Sequence, residues 1–313
     1  MNDLNRYTIF LKGEFHDSGI ENERSFLLLA KYLHTYQNTR FLGFEYEPDF
    51  FYLANRYLQT QTDLLPKKRY LLFSKDFWDS LVAFNHAKPV EDRFKIGGFD
   101  FNRSVLTAMA FSEMLSERPS FPDSDFQSAI TKIIEWKNIA WTWEGQEIFV
   151  EQMEELNVLY KKQEDKLAAY FGHDWPVFSA IVNNDVKSKS TVDRDKRGLK
   201  YVKGFLENKA EGNVLFNYGI SHTFLNGIGM GKLLNNDPAY RGKVCSIYPY
   251  HQSPGEEKSK IRLRKDSYLP VDMLAELEAY TYYTLINVEH RGLYPKEFKI
   301  SQWVYVIPKA KQP

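Results

Sequence analysis

The sequence predicts an α/β protein, with a mainly parallel central sheet flanked by helices and a large helical insertion over the carboxyl-terminal edge of the strands. Three observations carry this reading. Short apolar runs alternate with longer stretches of helical period, the pattern of strands joined through crossover helices. From about residue 103 to 209 no strand-like run occurs and helical periodicity takes over. The 313 residues, 43% hydrophobic and 16% aromatic, are ample for a core. The expected organisation is a single α/β domain over 1–313 with a helical insertion at about 103–209.

Strands are expected at Tyr7 to Lys12, Arg40 to Tyr46, Phe94 to Phe101, Asn213 to Tyr218, Lys243 to Tyr248, Tyr282 to Val288 and Gln302 to Ile307. Between the first two lies "ENERSFLLLAKYLHTYQ", acidic at its start and apolar at Phe26, Leu29, Ala30 and Leu33. That spacing predicts a helix returning across one sheet face. The clearest helix of the insertion runs from Glu144 to Tyr170, with Phe149, Met153, Leu156, Tyr160, Leu167 and Tyr170 three, four or seven positions apart. "SERPSFPDSD" and "NNDVKSKSTVDRDKRG" interrupt the helical stretches before and after it.

Composition narrows the function classes. Forty-one basic and 41 acidic residues cancel, so no global field favours nucleic acid or an anionic membrane. A small-molecule substrate is the expected partner. No window of eighteen apolar residues exists, so no membrane span is expected. The start, "MNDLNRYTIFL", lacks the features of a signal peptide, and the chain as written reads as cytoplasmic. An exported protein shorn of its signal would read the same. The single cysteine, Cys245 in "GKVCSIYPY", has no partner for a disulfide or a thiolate zinc site and suits a small core position.

In open α/β sheets ligands bind beyond the carboxyl ends of strands. Four runs end in chemistry there: "YTIFLKGEFHD", "RFLGFEYEPDF", "FKIGGFDFNR" and "NVLFNYGISHTF". They supply Glu14, His16 and Asp17, then Glu45 and Glu47, then Asp100 and Asn102, and finally Asn217, Ser221 and His222. A neutral imidazole held by a carboxylate can take a proton from water. Two histidines and a carboxylate can equally hold a divalent metal, with His16 and His222 as ligands. The residues suit both mechanisms, so the cofactor stays open, a divalent metal being the one these residues suggest. A glycine ahead of each histidine allows a sharp exit from the strand and a close backbone approach.

Each residue also has a plainer explanation. His16 alone reads as a hydrogen-bonded loop residue, Glu45 as a strand-end charge reaching solvent, Asp100 as a turn residue, and Asp17 as part of a loop or helix start. Ser221 is a natural N-cap for "HTFLNGIGMGKLL", with His222 in the first turn. "GIGMG" at 227–231 lacks the context of a dinucleotide loop and reads as close packing or a helix break. The aromatic "NIAWTWEGQEIF" suits core packing, His34, His86 and His173 suit the surface, and His251 and His290 are reserves at later strand ends. The conjunction of Glu14, His16, Glu45 and His222 at strand ends is what points to one site.

"GEFHD", then a helix, then "FLGFEYE", resembles the opening of the erythromycin esterase-like superfamily, which includes ChaN-like haem-binding lipoproteins and is related to TraB/Tiki metalloproteases. "GISH" resembles its second histidine motif, and "DRDKRGLKYVKGFLE" resembles the Arg-Asp helix that precedes it. The likeness spreads over most of the chain. It implies a hydrolytic centre of Glu14 and His16, with His16 activating water, Glu45 as the carboxylate after the second strand, His222 as the later histidine, and Arg194 opening the last helix. Tiki-like proteins imply instead His16 and His222 on a divalent metal, and ChaN-like proteins imply haem binding without catalysis. Only Phe15 separates Glu14 from His16, a spacing nearer to ChaN-like proteins than to the esterases.

The resulting expectation is a hydrolase acting on an ester or related bond. His16 is the base, Glu14 and Glu45 orient it, and His222 holds the substrate or stabilises developing charge. Asp100, Arg194 and Asn217 are expected to bind substrate.

Overall fold

The computed structural model describes residues 2–14, 19–60, 73–100, 104–116, 118–139, 142–184, 195–196, 198–200, 202–203, 206, 212–252, 277, 279–288 and 301–308. His16, Asp17, Asn102, Trp141, Arg194 and His290 lie outside them. The chain forms two compact units, one of residues 1–44, 91–94 and 191–313, the other of residues 45–90 and 95–190.

The first unit is α/β. Its strands are β1 (Ile9–Glu14), β2 (Thr39–Phe44), β4 (Asn213–Gly219), β5 (Val244–His251), β6 (Thr284–Asn287) and β7 (Trp303–Ile307). They run in the order β2-β4-β1-β5-β7-β6. Every pairing is parallel except that of β6 with β7, which adds an antiparallel edge. Strands covered on both faces read as continuous apolar runs. β5 is the extreme case, with all eight residues buried, including Cys245. Helix α1 (Gly19–Gln37) buries Phe26, Leu29, Ala30 and Leu33, the stripe its spacing predicted. Phe26 packs 5.2 Å from Phe44 of β2. Asn38, at φ 50°, ends the helix in the left-handed region that asparagine tolerates.

The second unit holds the remaining strand, β3 (Lys95–Gly98), and is otherwise helical among the described residues: α2 (Pro48–Thr60), α3 (Lys75–His86), α4 (Ser104–Leu115), α5 (Ser124–Glu135), α6 (Trp143–Lys162), α7 (Glu164–Phe171) and α8 (Trp175–Val182). Its core is aromatic, with Phe178 stacked on Phe171 at 3.8 Å and Phe111 5.2 Å away. Helices α5 and α6 are closed at their starts by side chains. Asp123 accepts from the Phe126 N–H at 2.8 Å and Thr142 from the Gly145 N–H at 3.0 Å.

All seven expected strands form, with ends displaced by three residues or fewer. Four local expectations are corrected. The helix expected over Glu144 to Tyr170 is two, broken at Gln163, whose φ of −138° leaves the helical range. His34, expected at the surface, is buried, its Nε2 2.6 Å from the Asp92 carbonyl and its ring edge-on to Phe94. Gly13 lies within β1 rather than ending it. Ser221 caps no long helix, because the chain makes only the short turn α9 (Ile220–Thr223), entered from Gly219, before α10 (Met230–Asn236). No helix among the described residues is long and apolar enough to cross a membrane.

Candidate active site

The first unit gathers polar side chains at the carboxyl ends of β1 and β4. Side chains alternate along a strand, so Lys12 and Glu14 share one face of β1. Parallel register sets Asn217 beside Lys12 and Gly219 beside Glu14. Helix α1 covers this face with Asn22 in its first turn. The Lys12 ammonium donates to Asn22 Oδ1 at 2.5 Å, Asn217 Oδ1 at 3.2 Å and the Gly13 carbonyl at 3.3 Å. Asn22 Nδ2 donates to Glu14 Oε2 at 3.0 Å, and Asn217 Nδ2 donates to the same oxygen. Lys12, Asn22 and Asn217 are all buried. Burial pulls the Lys12 ammonium down to about 8, against an opposing pull from the Glu14 charge.

The late histidine follows at once. Strand β4 runs directly into α9, which carries His222 three residues beyond the neighbour of Glu14. Close approach of this turn to β1 requires Gly13, where a Cβ would lie 2.9 Å from Ile220 Cγ1. Behind His222 a Cβ at Gly229 would lie 2.5 Å from the His222 Cα. The glycines of "GIGMG" are thus packing residues that let the start of α10 abut the histidine turn.

His222 Nδ1 lies 2.7 and 2.9 Å from the two carboxylate oxygens of Asp195, and both residues are buried. A carboxylate accepts, so Nδ1 carries the proton and the neutral ring's lone pair is on Nε2. The Tyr218 ring centroid lies 6.2 Å from that of His222. An imidazole held this way is equipped to take a proton, and it equally resembles a metal-ligating histidine whose other nitrogen is held by a carboxylate. Among the described residues no three His, Cys, Asp or Glu side chains cluster as a metal set, and His16 is not among those residues.

Of the expected site residues, Glu14 and Asn217 meet through a hydrogen bond, and His222 sits at the end of the neighbouring strand. Glu45 and Asp100 belong to the second unit. There Glu45 is half-buried, the Asp100 N–H donates to the Tyr46 carbonyl at 3.0 Å, and the Asp100 carbonyl accepts from Asn184 Nδ2 at 2.7 Å. His16 and Arg194 are outside the described residues. Sequence reasoning missed Lys12, Asn22 and Asp195. Lys12 had a signal, because a lysine in "YTIFLKGE" on a doubly covered strand must find buried partners. Asp195 was legible as the second residue of the Arg-Asp pair.

No family model matches the chain, and no curated protein matches it. Solved structures do. A Bacillus cereus protein is 14% identical over 97% of this chain and 89% of its own, with a TM-score of 0.61. A mutant of the erythromycin esterase EreC, in its open conformation, is 11% identical over 99% of this chain and 93% of its own, with a TM-score of 0.58. A succinoglycan biosynthesis protein is 13% identical over 96% of this chain and 88% of its own, with a TM-score of 0.57. At these identities the likeness is one of architecture, and the chain has the erythromycin esterase-like fold.

Proposed function

We propose that the chain is a hydrolase that activates water at the carboxyl ends of β1 and β4 to cleave an ester or related bond in a small molecule. The observation that carries this reading is the buried Asp195–His222 pair, one strand over from the Glu14 cluster. The erythromycin esterase with the same fold supports the reaction class. An imidazole takes a proton from water, and the hydroxide adds to the carbonyl carbon. The bond from that carbon to the leaving oxygen then breaks, and the imidazolium returns its proton to the departing alkoxide. Asp195 holds the ring in the required tautomer and stabilises the imidazolium. The roles of His16, Glu45 and Arg194 rest on the family resemblance, and that of Asp100 on its place after an apolar run.

The test is turnover of a panel of p-nitrophenyl esters and of erythromycin by the full chain. His222→Ala and His16→Ala should each lower kcat/KM by about 10³-fold, and Asp195→Asn by about 10²-fold, with far-UV circular dichroism unchanged. Absence of turnover by the unmodified protein, or turnover untouched by both alanine variants, rejects the reading. Activity removed by a chelator and restored by zinc would instead make the histidines metal ligands.

A further inference from the structure

Lys12 is fully buried on a central strand, and water activation as described gives it no task. A buried ammonium is costly unless its donors are satisfied. Here the three N–H donors have three acceptors: Asn22 Oδ1, Asn217 Oδ1 and the Gly13 carbonyl. None of these is charged. The nearby countercharge is Glu14, two residues on, and the asparagine amides stand between.

That arrangement has a direction. An ammonium donates and never accepts, so each asparagine must turn its oxygen to Lys12 and its NH₂ away. Both NH₂ groups then converge on Glu14 Oε2. Two donors on one oxygen favour the ionised carboxylate over the protonated acid.

We propose that Lys12 is the positioning residue of this site: it orients the Asn22 and Asn217 amides so that Glu14 is held as an ionised, acceptor-only carboxylate. This deepens the hydrolase reading and rests on it only for the consequence in turnover. Held this way, Glu14 can orient a water or an imidazole N–H, and it cannot protonate a leaving group. That proton then has to come from an imidazolium. Although burial lowers Lys12 to about 8, the ammonium is retained at neutral pH.

The test uses the full chain with asparagine-selective ¹⁵N labelling, the Asn22 and Asn217 side-chain amides being assigned from N22S and N217S. At pH 7 both amides should show a downfield proton and slow exchange in the unmodified protein. Lys12→Met should abolish the downfield shifts and speed exchange at least tenfold, and unchanged amides in a folded K12M would overturn the proposal. Glu14→Gln keeps Lys12 in place and decides the matter should K12M not fold. It should remove the downfield shift yet keep exchange within threefold, and full release of both amides in E14Q would show that Glu14, not Lys12, sets their direction. Where the unmodified protein hydrolyses an ester, K12M should lower kcat at least tenfold with KM within threefold, and an unaltered kcat counts against the proposal. Where it hydrolyses none, the hydrolase reading fails and the amide signals still judge Lys12.

Discussion

In the second unit Arg118 donates to the carbonyls of Met114, Tyr170 and Phe171 and pairs with Asp174 at 2.6 Å, while Asp49 accepts from the Phe50 N–H and the Thr107 hydroxyl. In the first unit Lys12, Asn22, Asn217 and Glu14 bond to one another, as do Asp195 and His222. The first pattern satisfies groups left over at helix ends, a structural need of any helical core. The second exceeds what the backbone requires and lies at the strand edge where α/β sheets bind ligands. These two sets of polar residues therefore differ in whom they serve, and the difference can be attacked from both sides.

The largest effect is expected from breaking the helical core. Phe178 is fully buried and stacked on Phe171, so Phe178→Ala should cost about 3–5 kcal/mol, measured by urea unfolding. The molecules that remain folded should keep the ester kcat of the unmodified protein. A kcat that falls with the cavity would blur the distinction between the units.

Lys12 gives the next effect, through pH. Its folded-state value of about 8 lies below the ordinary 10.5 because burial disfavours the charge. The penalty is fully present below about pH 8 and is relieved between there and 10.5, where the unfolded chain holds the extra proton. Stability should therefore gain up to about 3 kcal/mol across that window, relative to Lys12→Met. Parallel unfolding curves at pH 7.5 and 10.5 for both proteins test this, and equal pH dependence would mean that the lysine is solvated.

The smallest effect links packing to the site. A Cβ at Gly229 meets backbone at His222, so Gly229→Ala should cost about 1–3 kcal/mol by overpacking. Unlike Phe178→Ala, it should also lower kcat, because the turn that holds His222 must move. Loss of stability with kcat intact would place the glycine on the structural side of the comparison.

The sheet was legible because buried parallel strands read as apolar runs, and "NVLFNYG" needs no context to look like one. Strand ends were less so, since β1 continues through Gly13 to Glu14 on hydrogen bonds that no local pattern announces. Glu14, Asn217 and His222 could be chosen because each follows or ends an apolar run. Which of them pair with which could not. Asn22 is ten residues from Lys12, and Asp195 is 27 residues from His222. Such pairings depend on which helix covers which face. His34 failed for the same reason, because residues 91–94 cover it.

That short segment, 91–94, also bears on engineering. It leaves the helical unit in mid-course and is fastened to the sheet unit by Arg40 on the Asp92 carboxylate at 2.8 Å and by His34 on the Asp92 carbonyl. Residues 45–190 are consequently no cassette to be lifted out at one pair of junctions. Residues 91–94 belong with the sheet unit, so a graft that carries 45–190 needs an arginine and a histidine in the receiving sheet to hold Asp92.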